Sequence, residues 1–172
     1  IKVHSIRQRG ATVIEYGEGY DEAYAKAREL EARSGATFVH PFDDEDVIAG
    51  QGTVGVELLQ QQPGELEALF VPVGGGGLAA GVATIGRYLR PEVKIIGVEP
   101  TDAASMLAAF ENGGPVTLPE VGLFADGVAV KRVGDLTYSL CRDTLDEIIT
   151  VDTDAICAAV KDVYENCRVI PE

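Results

Sequence analysis

The sequence has no tryptophan, one methionine, two histidines and three cysteines in 172 residues. Cys141, Cys157 and Cys167 form no C-x-x-C pair, and an odd count in a chain this large argues against a disulfide framework and for a reducing compartment. His4 and His40 are too far apart in pattern to suggest a metal pair. Positive charge is scarce: 14 basic residues stand against 28 acidic ones, a net charge of −14. Such a surface repels phosphate backbones and anionic headgroups, so neither nucleic acid nor a membrane surface is expected as a partner. Long apolar runs are absent too. Stretches such as residues 68–73 fall far short of the ~20 residues a bilayer span needs, and no basic-then-apolar leader opens the chain. The expectation is a soluble, non-secreted protein, cytoplasmic or, if from a eukaryote, organellar. No period repeats and no low-complexity tract appears. With 46% hydrophobic and 24% charged residues the chain has a globular composition. It starts at Ile1 rather than Met and stops at Ile170-Pro171-Glu172 without a closing element, which reads as a piece of something larger.

What does recur is strand followed by helix. Residues 11–16 read as a short strand, Gly17-Glu18-Gly19 as a turn, and the next segment as a helix with Tyr20, Ala23, Tyr24, Ala27 and Leu30 on one face, stopped by Gly35. Residues 37–39 make a brief strand, residues 40–44 a polar turn, and residues 53–61 a helix with Val54 and Leu58 inward. Residues 69–73 read as a buried strand, followed by four glycines and a helix over 78–89. A strand over 94–98, a helix over 103–112, a glycine-rich loop over 113–129, a helix over 134–141 and a strand over 147–151 follow. The last helix is capped by Asp152 or Thr153 and stripes Ile156, Val160, Val163 and Cys167. Strands separated by helices predict an α/β fold, an open twisted parallel sheet covered on both faces.

The strongest chemical signal is Gly74-Gly75-Gly76-Gly77-Leu78 at a strand-to-helix junction. Glycines there let backbone N–H groups converge on a phosphate, because no Cβ blocks close approach and the helix N-terminus favours negative charge. A tight turn needing positive φ would explain one or two glycines and leave four excessive. The same run admits a second reading. Gly74, Gly76 and Ala79 satisfy G-x-G-x-x-G/A, and Glu99 ends the next strand where a ribose-binding acid belongs, the pattern of a nicotinamide-dinucleotide (NAD) domain.

The text around that run favours the first reading and leaves the second as the alternative. HPFDDEDVIAGQGTVGVELLQQ, LFVPVGGGGLAAGVA, IIGVEP, GLFADGVAVKRVGD and IITVDTDAICAAVKDVYENCRVIPE together resemble the threonine dehydratase (threonine ammonia-lyase) family of fold type II pyridoxal-phosphate enzymes, the biosynthetic branch in particular. The resemblance covers nearly the whole chain. It implies pyridoxal 5'-phosphate as cofactor, with Gly74, Gly75, Gly76, Gly77 and Leu78 on its phosphate and Gly127, in the ADGV loop, against its ring. It implies loss of water from L-threonine to give an enamine that hydrolyses to 2-oxobutanoate and ammonia, for isoleucine synthesis, by a homo-oligomer acting on a small amino acid.

The family's S-x-K-x-R-G-A motif, which bears the cofactor-carrying lysine, is missing, as are S-x-G-N-H and S-G-G/A-N; Lys2, Lys26, Lys94, Lys131 and Lys161 are the only lysines. No catalytic residue is therefore assigned. The resemblance makes residues 1–40 the C-terminal part of the small domain and 41–172 part of the large cofactor-binding domain, inactive by themselves, with any isoleucine-sensing domain beyond Glu172. It also places Phe42 and Gln51 at the border of the substrate pocket, where Gly50 and Gly52 could equally be packing devices. Some relatives hold a cation at positions that map to Glu99, Ala103 and Ser105; Ser105 departs from the acidic pattern there, which leaves a weakly held monovalent ion, or else Glu99 as a solvated strand-end carboxylate.

Overall fold

The computed structural model describes residues 2–17 and 19–171. The chain divides into two compact units, Ile1–Val39 and His40–Glu172.

The first unit holds helices α1 (Lys2–Gln8) and α2 (Tyr20–Ser34). Gly35 ends α2 as expected: at φ 71° it takes the left-handed conformation and its N–H donates to the Glu31 carbonyl. Phe38 packs edge-on to Tyr24 at 5.4 Å and lies under the Arg28 guanidinium at 5.0 Å. Residues 11–16 and 37–39 are not strands. A strand needs a ladder partner for its N–H and C=O groups, and among the described residues the only sheet belongs to the other unit. The turn expected at residues 17–19 falls partly outside the described residues; Gly17 takes φ 75°.

The second unit runs α3 (Glu45–Gln61), β1 (Ala68–Pro72), α4 (Gly77–Leu89), β2 (Lys94–Pro100), α5 (Ser105–Asn112), a single 3-10 turn (Asp126–Val128), α6 (Asp135–Thr144), β3 (Glu147–Val151) and α7 (Thr153–Cys167). The strands are parallel in the order β1-β2-β3, with Val71 opposite Gly97 and Gly97 opposite Ile148. Pro72, which has no N–H to give a ladder, lies on the outer strand β1. The core gathers Val73, Val82, Ile95, Met106, Val133 and Cys141, each at most 1% exposed. Arg87 ties the end of α4 to the approach to β3. It bonds the Thr144 carbonyl at 2.9 Å and the Asp146 carboxylate at 2.6 Å, which in turn accepts from the Ile95 N–H.

Three elements depart from expectation in instructive ways. Helix α3 begins at Glu45, eight residues before the predicted start, because Asp44 caps it by accepting from the N–H groups of Asp46 and Val47. Its inward face carries Ile48, Gly52, Gly55 and Leu59, while Val54 and Leu58 are exposed. Glycine explains the rotation: a Cβ on Gly81 of α4 would sit 2.5 Å from the Ile48 carbonyl oxygen and 2.6 Å from the Gly52 nitrogen, so the helices meet backbone to backbone. Strand β1 is only partly buried, with Phe70 63% exposed. Helix α7 forms with Asp152 as its cap but fully buries no residue: of its predicted apolar stripe Ile156 and Val160 are half-buried and Val163 and Cys167 exposed.

Candidate functional site

The site is built where β1 hands over to α4. Gly75, Gly76 and Gly77 are buried and Gly74 and Leu78 half-buried. Only Gly76 needs its glycine for conformation, at φ 95°. The others need theirs for space. A Cβ on Gly74 would lie 2.9 Å from the Val128 Cα, one on Gly75 2.2 Å from the Phe42 ring, and one on Gly77 3.0 Å from the Phe42 Cα. All four glycines are thus accounted for by conformation and packing together, where a tight turn alone explains only Gly76.

What packing does not account for is the polar backbone. Among the described residues, no protein acceptor takes the N–H groups of Gly74, Gly75, Gly76, Gly77, Leu78 or Ala79; the first backbone bond of α4 is Ala80 N–H to the Gly76 carbonyl at 2.8 Å. Buried donors without partners are costly, and at a helix N-terminus they favour an anion. A phosphate group fits this set of donors by charge and by hydrogen bonding.

The HPFDD turn holds the surroundings, one residue to a task. His40 Nδ1 accepts from the N–H groups of Phe42 and Asp43 at 3.2 and 2.7 Å, which fixes the turn. Phe42 lays its ring over Gly75. The Asp43 carboxylate accepts from the N–H groups of Asp135, Leu136 and Thr137, capping α6 from 92 residues away in sequence. On the other side, Thr137 Oγ1 donates to the Gly75 carbonyl at 2.7 Å and Cys141 Sγ to the Gly76 carbonyl at 3.8 Å. Burial pushes the Cys141 thiol up to about 12, with the Glu99 charge adding to it, so the sulfur keeps its proton.

Of the predicted site residues, the structure brings together Gly74 to Leu78, Phe42 and the 3-10 turn containing Gly127, whose neighbour Val128 lies against Gly74. Gly127 itself is exposed, with open space where a Cβ would go. Gln51 is half-buried inside α3, and Gly52 beside it is a packing contact with α4. Sequence reasoning missed Asp43 and Thr137. The doubled aspartate before a helix was the available signal for the first; the second had none, since its partner lies 62 residues away.

Glu99 is neither a solvated carboxylate nor a ribose ligand. It is fully buried, and its two oxygens accept from the N–H groups of Met106 and Leu107 at 2.8 Å each, capping α5. Burial raises its pKa to about 7 against the lowering effect of those bonds. Turned into the protein, it cannot reach a dinucleotide. Ala103 and Ser105 are buried near it, and Ser105 Oγ has no hydrogen-bond partner. Among the described residues no cluster of three His, Cys, Asp or Glu side chains could hold a metal, and no helix is long and apolar enough to cross a membrane.

Comparison with known proteins agrees with this geometry. The biosynthetic L-threonine dehydratase of Salmonella typhimurium is 57% identical over the whole chain, which covers 33% of that protein. The processed form of threonine deaminase isoform 2 from Solanum lycopersicum superposes with a TM-score of 0.94 at 47% identity, over 99% of this chain and 50% of that one. Maize serine racemase does so at 0.92 and 34%, over 98% of this chain and 52% of the other. The chain thus spans about a third of the length of the curated relatives it matches. The profile of the pyridoxal-phosphate dependent enzymes matches residues 1–172, and with the fold and the unsatisfied glycine loop in agreement, the chain belongs to that family.

Proposed function

We propose that the chain is the cofactor-holding part of a biosynthetic threonine dehydratase, which takes L-threonine to 2-oxobutanoate and ammonia for isoleucine synthesis. The observation that carries this reading is the row of unpartnered N–H groups at the head of α4, in a chain alike to such enzymes along its whole length. Residues 1–40 are then the C-terminal part of the small domain and 41–172 part of the large one. Gly74 to Leu78 hold the cofactor phosphate, Gly127 lets the 3-10 turn approach the ring, and Phe42 and Gln51 border the substrate. When bound, pyridoxal phosphate supplies the electron sink for the chemistry at the amino acid's Cα. This chain's part is to bind and orient. The cofactor-bearing lysine and the grip on the substrate carboxylate belong to other segments of the enzyme. We read Glu99 as the cap of α5, its two oxygens accepting the Met106 and Leu107 N–H groups at 2.8 Å each. The complete enzyme is a cytoplasmic homo-oligomer on this reading.

An activity assay on the full-length protein tests the proposal. Stripped of pyridoxal phosphate it should make no 2-oxobutanoate from L-threonine, and returning the cofactor should restore the activity, with kcat/KM higher for threonine than for serine. Racemisation of L-serine without oxo-acid release from threonine would overturn it.

A further inference from the structure

We propose that Thr137 is a positioning residue that aims the N–H groups of the glycine loop at the phosphate; this rests on the reading that the loop takes the phosphate of the cofactor. The argument is one of peptide geometry. Across a trans peptide bond the C=O and the following N–H point in opposite directions. The Gly75 carbonyl is held toward α6 by Thr137 Oγ1 at 2.7 Å, with the Gly134 N–H also directed at it at 3.5 Å. The Gly76 N–H must therefore face away from α6. One peptide further on, the Gly76 carbonyl accepts from Ala80 N–H at 2.8 Å and from Cys141 Sγ at 3.8 Å, which fixes the direction of the Gly77 N–H in the same way. With nothing holding these carbonyls, the glycine peptides could rotate, because glycine populates both signs of φ.

Thr137 suits this task for three reasons on its own atoms. It is fully buried, so water does not compete for the Gly75 carbonyl. Its own N–H donates to Asp43 Oδ1 at 3.1 Å, so the residue that aims the loop is itself fixed by the cap of α6. It also fits against the glycine it serves: a Cβ on Gly76 would lie 2.9 Å from the Thr137 Cβ and 3.0 Å from its Oγ1.

The test uses the full-length protein and two ligands that differ only in the group in question, pyridoxal 5'-phosphate and pyridoxal. Thr137→Val keeps the shape and removes the hydroxyl; Thr137→Ser keeps the hydroxyl. Dissociation constants for both ligands on the cofactor-free protein, and its thermal unfolding, are measured for each. The Val variant should lose about tenfold in affinity for pyridoxal phosphate and little for pyridoxal, and the Ser variant should recover most of the preference. An unchanged preference in a folded Thr137→Val protein would overturn the proposal. If that variant does not fold, Thr137→Cys, with a weaker donor of similar size, should give an intermediate preference, and an undiminished one would overturn the proposal equally. A wild-type protein that binds pyridoxal as tightly as pyridoxal phosphate would overturn both this inference and the reading of the loop beneath it.

Discussion

Helices α4 and α7 of the second unit carry apolar residues at helical spacing, yet α4 buries Gly77, Ala79, Ala80, Gly81, Val82, Ala83 and Gly86 whereas α7 buries none. The difference lies in residue size. The buried side of α4 is glycine, alanine and valine, so neighbouring backbone can come within contact distance at Gly81 and the Ile95 side chain can seat against Gly86. The stripe of α7 is larger and less covered, with Ile156 and Val160 only half-buried and Val163 37% exposed. Apolar period tells which face of a helix is able to be buried; small residues tell where another element actually comes close.

That contrast is breakable in order of size. Gly81→Val should do the most damage, because its added atoms meet the Ile48 carbonyl and the Gly52 nitrogen, which are backbone and cannot swing aside. A loss of about 3 kcal/mol or more in denaturant unfolding is expected, at or beyond the upper end for overpacking. Glu99→Gln measures how dry the α4 side is. The Glu99 carboxyl is raised to about 7 in the folded protein from an ordinary value of 4.5, so its contribution is fully present below pH 4.5 and lost as pH rises to 7. Between those values the wild type should lose roughly 3 kcal/mol relative to the Gln variant, at about 1.4 kcal/mol per pH unit, read as the difference between two urea-unfolding series. A flat difference would mean that water reaches the carboxylate. Val163→Ser on α7 should be the mildest, within about 0.5 kcal/mol of wild type, because an exposed side chain has little burial to lose.

The parts of this molecule that local chemistry dictates were legible in its sequence. Strand β3, the Gly35 stop and the Asp152 cap follow from residues within a turn or two of each other. The glycine run announced the site. Features that depend on distant partners were not legible. Residues 11–16 carry strand-forming side chains, but only a neighbouring strand would make them one. Hydrophobicity alone points Val54 and Leu58 inward, but Gly52 and Gly55 turn α3 so that the glycines face α4. Glu99 at the end of a strand looked solvated until α5 was folded onto it. Thr137 and Asp43 act through bonds spanning 62 and 92 residues or more, which no local pattern records.

The central claim is that the N–H groups of residues 74–79 are unsatisfied until a phosphate arrives, and amide hydrogen exchange across that segment in the full-length protein tests it most directly. Pyridoxal phosphate should slow exchange there while pyridoxal leaves it unchanged. Protection by pyridoxal phosphate of some other segment, with residues 74–79 exchanging as before, would contradict the account.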